Sequence, residues 1–321
     1  MDNRTKIVAL AGGVGGAKLA HGLAQCVPPD CLTIIVNTGD DFEHFGLYIC
    51  PDLDTVCYTL AGINNPVTGW GRSDETWQVM HNLSRLGAPD WFNLGDRDIA
   101  THLERTRRLH GGQKLSQVTH DFCQAWGVRQ VILPMSDDPV QTWVDTDRGL
   151  LLFQEYFVRF QCEPVVYGFR FQGAEKANPA PGIMEALSLA DLVVICPSNP
   201  WVSIQPILSI SGMRQAIEAK VVIAISPIIE GRALKGPAAK MYHEMGITPS
   251  ALAVAQHYHG LLSGFILDRL DEAQTKDIKA LGICPLTTDI VMKSMPDRAR
   301  LAMETIRFGE EFITRHSKEK T

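Results

Sequence analysis

The residues with the clearest chemical potential form the run Gly12-Gly13-Val14-Gly15-Gly16-Ala17-Lys18, which follows an apolar stretch and opens onto Leu19, Ala20 and Leu23 at helical spacing. Glycines let a backbone approach an anionic ligand closely, and the unpaired amides of a first helical turn can bind it. Lys18 adds a cation one turn into that helix, where a point charge suits a diphosphate. The run departs from both familiar phosphate loops. A dinucleotide fingerprint needs Gly or Ala where this chain has Lys18, and a P-loop needs Ser or Thr where it has Leu19. A nucleotide or another phosphorylated ligand is the expectation, with a merely tight strand-to-helix turn as the alternative.

Carboxylates follow at spacings that suit a hard cation. Asn37-Thr38-Gly39-Asp40-Asp41 and Pro51-Asp52-Leu53-Asp54-Thr55 bring two acidic groups near the glycine loop, and Mg²⁺ bridges such oxygens to substrate phosphates. Asp41 and Asp54 are the candidate metal ligands, and Asp54 is also a candidate to orient or deprotonate an attacking hydroxyl. Two structural alternatives stand beside these: a capped turn at 37–41, and Asp54 as N-cap of a helix starting at Thr55. In Asn93-Leu94-Gly95-Asp96-Arg97-Asp98 an arginine sits between two acids, as if aimed at an anion. Leu133-Pro134-Met135-Ser136-Asp137-Asp138-Pro139, Cys196-Pro197-Ser198-Asn199-Pro200 and Ser226-Pro227-Ile228-Ile229 supply hydroxyls and an amide able to hydrogen-bond a base or ribose.

The elements that must position these groups are read from hydrophobic periodicity. Near-continuous apolar runs at 6–11, 32–37, 130–133, 192–196, 221–225 and 251–255 read as strands buried on both faces. Residues 75–86, 98–109, 115–126, 183–189, 236–245 and 296–308 read as helices. This alternation predicts a Rossmann-like doubly wound, mostly parallel α/β sheet, with several of the polar clusters above following strands. Residues 141–153, 155–161 and 164–171 break the rhythm as successive strands. An inserted antiparallel segment, approximately 135–175, is therefore expected within a single domain spanning 1–321, with a frayed tail at 317–321.

Composition narrows the function classes. Of 321 residues, 45% are apolar and 21% charged, as in a globular chain with a substantial core. The net charge of -6 argues against nucleic acid as a partner. No apolar run is long enough to span a membrane, and the start of the chain lacks a signal-peptide pattern. The eight cysteines include no C-x-x-C pair and read as free thiols of a cytoplasmic protein. His257-Tyr258-His259 has no second cluster to complete a zinc site.

Taken together and in order, the glycine loop, Asn37–Asp41, Pro51–Val56, Leu94–Asp98, Leu133–Pro139, Phe153-Gln154-Glu155, Pro197–Pro200 and Ser226–Ile229 resemble the 2-phospho-L-lactate transferase (CofD/FbiA) family of coenzyme F420 biosynthesis. The resemblance implies a Rossmann-like core with an inserted subdomain, Mg²⁺ as cofactor and a homodimer. It also implies transfer of a phospholactyl or phosphoenolpyruvyl group from a guanosine diphosphate conjugate to the terminal ribityl hydroxyl of the deazaflavin Fo, releasing GMP. On that pattern Gly12, Gly13, Gly15, Gly16 and Lys18 face the diphosphate, while Ser198, Asn199 and Ser226 serve the guanosine. Asp54 and Asn93 contact Fo, with Asp96 and Arg97 nearby; Asp41, Asp54 and Lys18 form the catalytic set. Asn93 stands where other members carry a different residue such as Lys. The long glycine loop and Gly39-Asp40-Asp41 resemble the bacterial branch, which is associated with a phosphoenolpyruvate-derived donor. A CofD-like regulatory protein that binds nucleotide without making the deazaflavin product is the alternative. An NAD-dependent oxidoreductase ranks last, because no hydride-transfer dyad accompanies the loop.

Overall fold

Short apolar runs, most of them sealed on both faces, pair into one seven-stranded sheet in the computed structural model, which describes residues 5–233 and 235–319. In chain order the strands are β1 (Ile7–Ala11), β2 (Leu32–Val36), β3 (Val131–Pro134), β4 (Leu192–Ile195), β5 (Val221–Ile225), β6 (Gly264–Asp268) and β7 (Cys284–Thr288). Their spatial order is β7-β6-β5-β4-β1-β2-β3. Every pairing is parallel; Ile7 of β1, for example, lies opposite Leu32 of β2 on one side and Leu192 of β4 on the other. The chain winds outward from β1 in one direction and from β4 in the other. The loops that leave these two strands therefore diverge and open a crevice at the strands' carboxyl ends, the place where open α/β sheets bind ligands.

Two apolar layers hold the sheet. One face packs on α1 (Gly13–Cys26), α2 (Pro51–Ala61) and the C-terminal helix Met295–Glu319, through Leu19, Leu23, Leu53, Val56, Leu301 and Phe308. The other face packs on Ile183, Leu187, Ile207, Met213, Ile217 and Val254. Residues 141–172 add a three-stranded antiparallel sheet, Gly149–Leu152, Gln141–Thr146 and Val166–Gln172, over a small core that includes Val144, Phe153, Tyr156 and Met241. It is tied to the crevice where the Thr142 amide donates to the Gly39 carbonyl at 2.7 Å.

Three expectations need correction. Residues 251–255 are not a strand but the start of helix Ala251–His257, whose Ser250 hydroxyl accepts from the Ala253 amide at 3.0 Å. The sheet is completed instead by β6 and β7, and Pro285 is accommodated because β7 is an edge strand. Residues 155–161 hold a helical turn, Glu155–Arg159, in place of a strand. The C-terminal helix runs to Glu319, so residues 317–319 of the expected frayed tail are helical and the last two lie outside the described residues.

Candidate active site at the switch point

Gly13 adopts φ +61°, a left-handed value that glycine tolerates, as β1 turns into α1. Its amide donates to Asp52 Oδ1 at 2.7 Å, so the first anion at this helix N-terminus is one of the protein's own carboxylates. The Ser198 hydroxyl accepts from the Gly12 amide at 3.1 Å and donates to the Gly12 carbonyl at 2.8 Å, joining the loops that follow β1 and β4. A β-carbon at Gly15 would stand 2.3 Å from the Pro197 carbonyl, and one at Gly16 would stand 2.5 Å from Ser198 Oγ. These two glycines thus allow the loops to touch. The amides of Val14 and Gly15 have no intrahelical acceptor by helix geometry and remain for a ligand.

Three aspartates gather beside this junction. Asp40, Asp41 and Asp52 are each at most 7% exposed. Asp52 is held by the Gly13 amide and by Asn37 Nδ2 at 2.9 Å. By contrast, among the described residues both oxygens of Asp41 and Oδ1 of Asp40 are buried without a well-formed hydrogen bond, with the Cys50 thiol close to Asp41. Burial, with Asp52 as a near negative neighbour, holds the Asp40 carboxyl well above the usual range. Burial does the same to Asp41, and Asp52 is pushed up to about 6. Buried oxygen donors of this kind suit a divalent cation, although the three carboxylates do not all converge within 4.8 Å of one another and Arg105 also acts on Asp41.

Asp54 stands in a different setting. Helix α2 begins at Pro51, so Asp54 lies inside the first turn and is not the N-cap; the main-chain groups of Cys50 open the helix. Asp98, His102 and Arg105 share one face of α4 (Asp96–His110) and meet Asp54 and Tyr58 of α2. The Arg105 guanidinium grips both oxygens of Asp54, with Nη1 3.0 Å from Oδ2 and Nη2 on Oδ1. Tyr58 donates to Asp98 Oδ1 at 2.8 Å, and His102 lies 3.4 Å from the same oxygen. Burial alone would raise the Asp98 carboxyl, but His102 and Tyr58 outweigh it and leave it below the ordinary value. Asp54, Asp98 and His102 are close enough to share an ion, yet Arg105 already supplies positive charge there.

Several other expected site residues are engaged in local structure. Asp96 accepts from the Thr76 hydroxyl at 2.6 Å and from the amides of Gln78 and Val79, capping α3 (Gln78–Arg85). Glu75 returns the favour at the start of α4, accepting from the amides of Arg97 and Asp98. Arg97 is exposed, 3.8 Å from Asp74. Asn93 is exposed beside Trp91 and Phe92, which pack on Phe42 of the hairpin formed by Phe42–His44 and Leu47–Ile49. The Ser226 hydroxyl turns back to Ile228 of its own loop. Asn199 caps its own turn through the Trp201 amide, and its Nδ2 faces only the Met241 sulfur at 3.4 Å. The Lys18 ammonium donates to the Met292 carbonyl at 3.0 Å, on the flank of α1.

The family described as 2-phospho-L-lactate transferase CofD matches residues 7–302. The chain belongs to that family. Among curated members, the phosphoenolpyruvate transferase of Streptomyces griseus is 45% identical over 316 residues, covering 95% of this chain and 99% of that protein. The phosphoenolpyruvate transferase of Thermobifida fusca is 46% identical over 282 residues, covering 83% and 87%. Two crystal structures of a UPF0052-family protein from Bacillus halodurans share the fold, with TM-scores of 0.60 and 0.62 at 13% and 15% identity over 94% of this chain. Within this CofD chain, sequence reasoning did not find Arg105, although Asp98, His102 and Arg105 recur at helical spacing along one face.

Proposed function

We propose that the protein transfers the phosphoenolpyruvyl or phospholactyl group of a guanosine diphosphate conjugate to the terminal ribityl hydroxyl of Fo. The hydroxyl oxygen bonds to the phosphorus that carries the three-carbon acid, and the bond from that phosphorus to the bridging oxygen breaks. GMP leaves, and the hydroxyl proton passes to a base in the crevice. End-to-end kinship with phosphoenolpyruvate transferases is the observation that carries this reading, and it favours the phosphoenolpyruvate-derived donor.

The geometry supports a division of labour. In-line phosphoryl transfer asks a protein chiefly to position the groups and offset their charge. Asp41, with Asp40 beside it, would hold Mg²⁺, because its oxygens are buried without a well-formed hydrogen bond; the ion would supply charge neutralisation at the diphosphate. The free amides of Val14 and Gly15 would receive a phosphate oxygen. Asp54, fixed by Arg105, and Asn93 would face the deazaflavin, with the proton acceptor drawn from the carboxylates at this end of the crevice. A cytoplasmic homodimer belongs to the same proposal, and light scattering checks its mass.

The test is direct. Protein and Fo are incubated with each guanosine conjugate in turn, with Mg²⁺ or with a chelator, and products are identified by mass. The expected result is Mg²⁺-dependent formation of the phosphodiester and GMP, faster with the enolpyruvyl donor. Binding of nucleotide with no transfer to Fo would instead select the regulatory alternative.

A further inference from the structure

Lys18 lies among positive charges and, among the described residues, has no carboxylate to answer it. Burial and the neighbouring Arg298 and Lys235 all act to lower its pKa. Its one hydrogen bond is to the Met292 carbonyl, and the Lys235 ammonium likewise meets only a main-chain oxygen, that of Thr68 at 2.8 Å. Arg298 is half-buried, with its Nε sealed from water and lacking an acceptor. The nearby Asp297 is turned toward the amides of Lys293 and Ser294. Among the described residues, none of the three cations has an acidic partner within ion-pair distance.

Their placement is ordered along one helix. A β-carbon at Gly69 would stand 3.5 Å from Lys235 Nζ and 2.6 Å from Val14 Cγ1, so Lys235 and Val14 flank Gly69 together at the first turn of α1. Lys18 follows one turn later. A β-carbon at Gly22 would stand 2.2 Å from the Arg298 carbonyl and 3.2 Å from its Cβ, which sets Arg298 against the next turn. Positions 14, 18 and 22 share a face and span ~12 Å. Like charges gathered at this spacing repel one another unless an anion lies among them. Each lysine retains N–H donors beyond the one bonded to the main chain.

We propose that Lys235, Lys18 and Arg298 form an anion-binding strip along the flank of α1 that takes the diphosphate of the nucleotide donor. The proposal rests on the transferase reading for the identity of the anion, and it adds Lys235 and Arg298 as binding residues. It also accounts for Asp52 at the helix N-terminus: the first amide is engaged by the protein itself, and much of the phosphate charge is met on the helix side.

Titration calorimetry with inorganic pyrophosphate and with GDP, both with Mg²⁺, tests it. Lys235→Ala and Arg298→Gln are each expected to weaken both ligands about tenfold or more, the effect of losing a hydrogen bond to a charged group. Lys235→Arg should recover most of the loss, and raised salt should narrow the gap between wild type and variants. Fo binding should be unchanged. If a folded Lys235→Ala protein binds pyrophosphate within twofold of wild type, the strip is a solvated surface and the proposal fails. Should Arg298→Gln not fold, Lys235→Ala decides alone, since Lys235 is exposed. Loss of pyrophosphate binding in the variants of a protein that transfers nothing to Fo would leave the strip standing and overturn the transferase reading instead.

Discussion

Two groups of buried acids, one around Asp54 and one around Asp41, sit at the same end of the sheet in contrasting surroundings. Around Asp54 both carboxylates have partners: Arg105 holds both oxygens of Asp54, Tyr58 donates to Asp98, and His102 Nε2 lies 3.4 Å from Asp98 without a well-formed hydrogen bond. Around Asp41 the charge is only partly answered: among the described residues three carboxylate oxygens of Asp40 and Asp41 are buried without a well-formed hydrogen bond, and Arg105 and the Cys50 thiol act on Asp41 without outweighing its burial. The first arrangement stabilises two helices against each other. The second costs stability unless a cation enters. A carboxylate's surroundings, more than its identity, therefore separate an acid held in place by a cation of the protein from an acid left to meet a bound one.

The largest effect should come from breaking the group around Asp54. Arg105→Ala leaves Asp54 buried and alone, and removing one partner of a buried pair costs about 3–5 kcal/mol. Replacing Asp54 and Arg105 together with apolar residues of similar volume should recover much of that loss. Urea unfolding of the single and double variants checks this. A single variant within ~1 kcal/mol of wild type would mean that the pair is weakly coupled to the fold, and the contrast drawn above would lose its basis.

A third buried group, reached from the turn Pro200–Ile204, sharpens the comparison by removing ligands from it. Trp201 Nε1, Tyr242 Oη, His257 Nε2 and Tyr258 Oη are buried without partners in an aromatic group where the Trp201 and His257 rings are 4.2 Å apart. Burial, helped by Arg214, holds His257 down to about 4, against 6.5 for an ordinary histidine. The unfolded chain therefore takes up a proton between these values that the folded chain refuses. Stability is intact above pH 6.5 and falls as the pH is lowered toward 4, by about 3 kcal/mol in total. His257→Phe should flatten that limb of the unfolding profile. An unchanged slope in the variant would assign the acid sensitivity to the carboxylates.

How much of this was legible in the sequence depends on how local each cause is. The parallel core was readable because β1, β2, β4 and β5 are runs sealed on both faces. Residues 251–255 misled because Ala-Leu-Ala-Val-Ala is short and apolar, though the Ser250 cap was the overlooked signal. Strands β6 and β7 escaped notice because β6 holds only three large apolar side chains between Gly264 and Asp268 and β7 carries Pro285. Asp41 could be nominated from its neighbours. The setting of Asp54 could not, because Arg105 lies 51 residues further on and reaches it only when α4 folds against α2. Lys235 and Arg298 were invisible for the same reason, since only the packing of the C-terminal helix on Gly22 and of Gly69 against Val14 brings them to Lys18.

The smallest effect on stability, and the one that bears most closely on the group around Asp41, concerns Asp41→Asn. Removing a negative charge from a site where burial already disfavours it should leave the protein as stable as before, or more stable by on the order of 1 kcal/mol. Arg105→Ala is expected to move the other way, so the two variants separate the two acid groups by sign. Mg²⁺ supplies the second half of the test. A cation that binds only the folded chain raises its melting temperature in proportion to the logarithm of its concentration above Kd. Wild type should show that rise, and Asp41→Asn should show little of it. If Asp41→Asn melts several degrees lower and still responds to Mg²⁺ as wild type does, Asp41 supports the fold and the ion binds elsewhere. Asp54, Asp98 and His102 would then be the next ligands to examine, with Arg105 displaced to admit the metal.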